Sequence, residues 1–381
     1  MRRITLNLLG MLVLTGMVSS QNLAPCGERP TYLSNPWVDG TRFCLETVIH
    51  DERAGELAFT ALAAAPDGTL YTARPLQGQI LAITDSDGDG LPDSSDIIAE
   101  NLTLPNGLVY YDGALYISGG AHIYKFADEK IEILVDDVPS GGGFWTGGLA
   151  IGADERLYVA TGAPCDACQP DDPTRGAILS YALDGSDRQI VAEGLRQPVG
   201  LAFRDGALWT VDSARDGLFA SPNLDELNRV TPGANFGWPY CIGENQPDLF
   251  PGEFDCADAT SPAMTFPTAS HPTVLAAYTG DALPALEGRL LVVLYGSYNH
   301  VDLRGYAIAA IKFDDAGNPA GYDIIIPQES DTDSFVGYTL KEMNYRTSGF
   351  WSRRPLGIAI SREGWLYVSV GGGQIWALRP R

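Results

Sequence analysis

Positive charge is what this chain lacks most: 25 Lys and Arg stand against 48 Asp and Glu, a net charge of −23. Binding to a phosphate backbone needs the opposite sign to release counterions, so nucleic-acid partners are excluded, and an anionic membrane surface is disfavoured for the same reason. Histidine is scarce, at four residues, which leaves few side chains that titrate near neutrality. No Cys pair is followed by the His of a haem-attachment motif, and no second Cys/His pair completes a zinc site. Long apolar runs are missing too, apart from Ile4 to Val18 at the N-terminus. That stretch is short for a membrane span and carries Thr5, Asn7 and Thr15. With Arg2 and Arg3 before it and Val18-Ser19-Ser20 after it, it reads as an export signal over residues 1–20. The mature chain is therefore expected to be secreted or periplasmic, with no membrane span after cleavage.

What is abundant is turn chemistry: 43 Gly and 25 Pro favour many short strands over long helices. The six Cys all follow the signal, an even number that suits an oxidising compartment. Sequence proximity suggests Cys26–Cys44, Cys165–Cys168 and Cys241–Cys256 out of fifteen possible pairings. Cys165-Asp166-Ala167-Cys168 has redox-motif spacing, but no helical pattern follows it, and a structural staple suits it better.

One pattern recurs along the chain: an apolar run, an acidic or Gly turn, then Leu with an aromatic residue or Leu. It appears at Asp67-Gly68-Thr69-Leu70-Tyr71, Asp112-Gly113-Ala114-Leu115-Tyr116, Asp154-Glu155-Arg156-Leu157-Tyr158 and Asp205-Gly206-Ala207-Leu208-Trp209. Weaker copies are Glu287-Gly288-Arg289-Leu290-Leu291 and Glu363-Gly364-Trp365-Leu366-Tyr367. Asp-Gly between alternating apolar runs is a strong hairpin signal. Six hairpin repeats, each too short for a core of its own, predict an all-β, six-bladed β-propeller over residues 21–381, with four-stranded antiparallel blades and loop insertions on one face. The spacing of roughly 60 residues exceeds the usual blade length of about 40–50. The surplus falls between Ser213 and Glu287 and between Asp314 and Trp351.

The segment Asp85 to Asp96 carries oxygen ligands at the spacing of a twelve-residue calcium loop. Asp85, Asp87, Asp89, the Leu91 carbonyl, Asp93 and Asp96 take positions 1, 3, 5, 7, 9 and 12, with Gly90 at the turn. No helical pattern flanks it, so the Ca²⁺ expected there is structural.

Several segments carry a family resemblance: Gly194-Leu195-Arg196-Gln197-Pro198-Val199-Gly200-Leu201-Ala202-Phe203, Asp225-Glu226-Leu227-Asn228-Arg229-Val230, Asn235-Phe236-Gly237-Trp238-Pro239-Tyr240-Cys241, Tyr278-Thr279-Gly280-Asp281 and Tyr295-Gly296-Ser297-Tyr298-Asn299. With them the chain resembles the pyrroloquinoline quinone (PQQ) dependent glucose/sorbosone dehydrogenase family, most specifically between about Gly143 and Gly305. The resemblance implies a six-bladed propeller that oxidises a sugar or aldose by hydride transfer to PQQ held over Ca²⁺. It places Arg196 and Arg354 at cofactor-binding arginines and the Ala214 and Arg215 carbonyls at the cofactor's calcium. Asp225 and Glu226 fall at an acidic pair that serves another metal or braces the fold. With no haem motif, a separate electron acceptor is implied.

Two departures stand out. Phe144-Trp145-Thr146-Gly147 occupies the stretch of the family's catalytic histidine, so Phe144 replaces the base and Gly147 an arginine. Asn299-His300 replaces an Asn-Arg pair. His271 and His300 are the substitute bases to consider, with Asp166 and Asp171 behind them, while His50 and His122 suit structural roles. A second reading follows from Phe144: a catalytically silent, calcium-stabilised propeller that binds a glycan or a protein.

Overall fold

The structure is a computed structural model that describes residues 26–33, 38, 40–51, 55–88, 90–215, 224–297, 304–326 and 353–381. Each of the six repeats becomes the inner hairpin of one blade. The first blade runs Leu62–Ala64, Leu70–Arg74, Gln79–Thr84 and Ser94–Ala99, and the second Pro105–Tyr111, Ala114–Gly119, His122–Ala127 and Lys130–Val135. The third comprises Leu149–Ile151, Arg156–Thr161, Ala177–Ala182 and Gln189–Glu193, with Ala234–Asn235 added in parallel at its edge. The fourth comprises Pro198–Arg204, Ala207–Asp212, Asp225–Val230 and Met264–Phe266. The fifth comprises Pro272–Ala277, Leu290–Leu294, Ala307–Phe313 and Pro319–Ile326. The sixth takes Pro355–Ile360, Leu366–Val370 and Gln374–Pro380 from the C-terminal end and its outermost strand, Phe43–His50, from the N-terminal end. Closing the ring with both ends of the chain removes the gap that a six-blade array would otherwise leave. The described residues include no α-helix, and no helix long and apolar enough to cross a membrane.

The hairpin signals have a direct physical basis. In the second and fourth blades the two-residue turns place both Asp112 and Gly113, and both Asp205 and Gly206, at positive φ. That turn twists in the same sense as the strands it joins. The innermost strands surround a central channel of about 340 Å³, with Ala63, Ala150, Ala202, Ala276 and Ala359 along it. Small side chains suit the centre, where six strands converge. Gly357 is one place where even a methyl group is too much: a Cβ there would stand 2.1 Å from the Thr60 carbonyl of the neighbouring blade. Apolar side chains fill the space between blades. Leu157, Val159, Leu179 and Tyr181 of the third blade, for example, pack with Tyr116, Ile123 and Val135 of the second, and each large side chain contributes about 2 kcal/mol.

The three cysteine pairs suggested by proximity are the disulfides present, Cys26–Cys44, Cys165–Cys168 and Cys241–Cys256. The fourth blade's long connection between its third and fourth strands holds the last of these and a small hairpin of Cys241–Ile242 with Gln246–Pro247.

Candidate functional site

A cavity of about 580 Å³ opens where the innermost strands begin, at the end of the ring opposite the Asp-Gly turns. Thr60, Asn106, Val199, Thr273 and Leu356 come from the starts of those strands, and Phe144, Trp145, Asp166, Arg196, His271 and Tyr295 from the loops around them. The residues matched between about Gly143 and Gly305 therefore supply most of its wall.

Arg196 sits at the centre of the polar side. Its Nη1 donates to the Ser213 carbonyl at 2.7 Å and the Ala214 carbonyl at 3.1 Å. Its Nε donates to Asp166 at 3.1 Å, and its Nη2 donates to the same carboxylate oxygen. The guanidinium carbon lies 4.3 Å from the centre of the Phe144 ring. Phe144 thus lies under the Arg196 guanidinium, and a phenyl ring takes no proton at any pH. At Gly147 the backbone itself has closed in: a Cβ would meet the Val199 Cα at 2.8 Å, so no arginine side chain has room to start there.

Two buried carboxylates fix the loops. Asp212, at the end of the fourth blade's second strand, accepts the Arg196 and Gln197 amides at 2.8 and 2.6 Å. Asp225 accepts the Ala214 and His271 amides, both at 2.9 Å. Burial pushes each up to about 6 against the pull of those amides and of Arg196 or His271. Burial, reinforced by the Asp212 charge, pushes neighbouring Glu226 up to about 8. Asp225 therefore sits where it braces the loops, beside a small enclosure of about 20 Å³ lined by Asp212, Ala214, Arg215 and Glu226. Arg215 turns away to Asp248 of the long insertion, with Nη2 2.5 Å from both carboxylate oxygens.

Arg354 lies against Tyr295 rather than in the cavity lining. It donates to the Gly296 carbonyl at 2.6 Å and the Ser297 carbonyl at 3.0 Å, and its guanidinium carbon is 4.6 Å from the Tyr295 and Tyr306 ring centres. His271 does line the cavity, and its backbone is held at φ +48. His300 and Asp89 lie outside the described residues, as does the 1–20 segment. His50 pairs with Gln374 and His122 stacks on Tyr124, both away from the site.

The acidic loop joins the third and fourth strands of the first blade on the opposite face of the ring. Carboxylate oxygens of Asp85, Asp87 and Asp93 come within 4.8 Å of one another. Asp85 accepts the Gly88 and Gly90 amides at 2.8 and 2.7 Å, and Asp93 accepts the Ser86 amide at 2.7 Å. Asp96 lies apart from this group, on the outermost strand opposite Ala82, where it accepts from Ser94.

Sequence reasoning singled out Phe144, Arg196 and His271 but missed Asp212, Asn106, Gln197, Trp145 and Tyr295 as parts of the site. Asp212 left a trace, a carboxylate closing the apolar run Leu208-Trp209-Thr210-Val211. Asn106 stands at the start of an innermost strand, the others are polar or aromatic residues of ordinary loops, and only the ring brings them together.

The residues present fit a planar polycarboxylate. The cavity is large enough for a multi-ring ligand, its walls are aromatic and apolar, and a guanidinium faces it with Asn106, Gln197 and Thr273 nearby. The fit for calcium is poorer at Ala214, whose carbonyl already accepts from Arg196.

Comparisons with known proteins bear on the family and the fold. Residues 124–299 match the model of the Glucose / Sorbosone dehydrogenase family. An uncharacterized protein of Borreliella burgdorferi is 28% identical over 244 residues, which cover 57% of this chain and 63% of that protein's length. Among solved structures, a Trichoderma reesei carbohydrate-active enzyme of family AA12 superposes with a TM-score of 0.73 at 18% identity, covering 92% of this chain and 99% of that one. The holo form of the pyranose dehydrogenase PQQ domain from Coprinopsis cinerea gives 0.70 at 17% identity, covering 93% and 99%. The resemblance read from the sequence thus stands: residues 124–299 match the Glucose / Sorbosone dehydrogenase family model, and the chain shares its fold with the pyranose dehydrogenase PQQ domain.

Proposed function

We propose that this chain is an exported, PQQ-dependent dehydrogenase of a sugar or aldose. One observation carries the reading: Arg196, in the family-like Gly194–Phe203 segment, presents a guanidinium to an aromatic-walled cavity of about 580 Å³. When bound, PQQ would supply the acceptor for a sugar's hydride. Arg196, Asn106 and Gln197 hold the cofactor's polar edges, while Phe144, Trp145 and Tyr295 shape an apolar slot. His271, in the same wall, is the one imidazole lining the cavity among the described residues and serves as the proton acceptor for the substrate hydroxyl. Asp85, Asp87 and Asp93, with Asp89 and the Leu91 carbonyl of the same loop, would hold a structural Ca²⁺, and Asp96, on the outer strand, drops out of the ligand set.

The stack of Phe144 on Arg196 favours a second reading, a cofactor-binding or glycan-binding propeller without turnover. The test mixes the purified protein with PQQ and Ca²⁺, then follows the quinone absorbance and the reduction of an artificial dye with a panel of sugars. A shifted spectrum with dye reduction is expected. No spectral change overturns the cofactor reading, and a shifted spectrum without dye reduction selects the silent binder.

A further inference from the structure

Asp166 stands on the short loop stapled by Cys165–Cys168, at the rim of the cavity. Its carboxylate takes two donors of Arg196, Nε and Nη2, through a single oxygen. The remaining Arg196 hydrogen bonds go to the Ser213 and Ala214 carbonyls, and the guanidinium carbon lies over the Phe144 ring. The edge held by Asp166 is therefore the edge left for a ligand carboxylate. The two partners differ sharply in exposure, with 9% of the Arg196 side chain accessible and 66% of the Asp166 side chain. A buried cation is thus neutralised by a carboxylate that is itself mostly in water and can swing away. The loop is also pressed onto the segment that carries Phe144: a Cβ at Gly143 would lie 2.5 Å from the Cys165 nitrogen.

We propose that Asp166 is a resident counter-anion that an incoming ligand carboxylate must displace from Arg196, and that it sets the affinity of the site for anionic ligands. The inference rests on the reading of this cavity as the cofactor site, and names a residue of this chain that gates it. An ion pair with one partner mostly in water is worth about 1 kcal/mol, so removing the competitor changes affinity by about fivefold. Asp166→Asn keeps the shape and removes the charge, and Asp166→Ala serves as a second variant. PQQ titrations followed by cofactor absorbance should give a dissociation constant about fivefold lower in Asp166→Asn than in the unchanged protein. A constant that is equal or higher overturns the inference while leaving the cofactor reading intact. If PQQ binds to neither protein, the cofactor reading fails, and a redox-silent probe decides the gate: pyridine-2,6-dicarboxylate should raise the melting temperature of Asp166→Asn more than that of the parent. An equal response, or none in either protein, overturns the gate as well.

Discussion

At position 144 the phenyl ring lies beneath the Arg196 guanidinium, with 4.3 Å between the guanidinium carbon and the ring centre. A contact of that kind stabilises by about 1 kcal/mol in a partly desolvated setting, so Phe144 helps hold the arginine even though it offers no base. Phe144→His is expected to give dye reduction at least tenfold above the parent in the presence of PQQ and Ca²⁺, at a cost in melting temperature of a few degrees at most. No gain in a variant that still binds PQQ would place the proton acceptor elsewhere. His271→Gln answers that case: if His271 is the acceptor, the parent's turnover falls by about 100-fold or more with PQQ affinity little changed, read as kcat against the cofactor titration. Both residues were visible in the sequence, but their relation was not. Nothing in the spacing of 144, 196 and 271 says that one wall holds all three.

Among elements, the strand Phe43–His50 matters beyond its length because it closes the ring. Glu46 on this strand is 2% exposed and sits between two guanidinia. Arg29 reaches it at 3.1 and 2.5 Å and Arg379 of the last strand at 2.8 Å twice. Burial alone would raise the Glu46 carboxyl, but the hydrogen bonds and charges of Arg379 and Arg29 prevail and hold it down at about 2, against an ordinary 4.5. The folded value is the lower one, so the stabilisation is fully present above pH 4.5 and is lost as pH falls from there towards 2. Glu46→Gln should lower stability at pH 7 by about 3 kcal/mol, since it leaves two buried cations without their anion. It should also flatten the acid limb of the melting curve over that window. A variant with the parent's acid limb would show that the clasp is not what acid breaks. The sixth repeat, Glu363 to Tyr367, marked this blade in the sequence, but nothing there said that residue 46 would meet residue 379.

For the whole molecule, the acidic loop and the cavity stand on opposite faces of the ring. The loop leans on the ring's closing blade: a Cβ at Gly90, already at φ +84, would come within 2.7 Å of the Trp365 indole. A Ca²⁺ held by this loop would therefore stiffen the junction between the first and sixth blades. Chelation is expected to lower the melting temperature by several degrees. Asp85→Asn should start from the lower value and lose the response to chelator. Equal melting curves with and without chelator would count against a bound structural ion. Binding of PQQ, on the far face, should survive Asp85→Asn.

The sequence by itself determined the number of blades and the hairpins. Three of the inner hairpins carry Asp-Gly turns and the others an acidic or Gly turn, in each case between apolar runs that repeat along the chain. It also determined the disulfide partners that lie near in the chain and the Asp85–Asp93 group, because those contacts span few residues. Only the tertiary structure decided which end of the ring carries the cavity, that Asp166 and Phe144 both grip Arg196, and that the Arg354 donors turn to the carbonyls of residues 295–297. These contacts join loops from different blades. Their geometry is set by radial packing around one channel, and no local spacing in the chain records it.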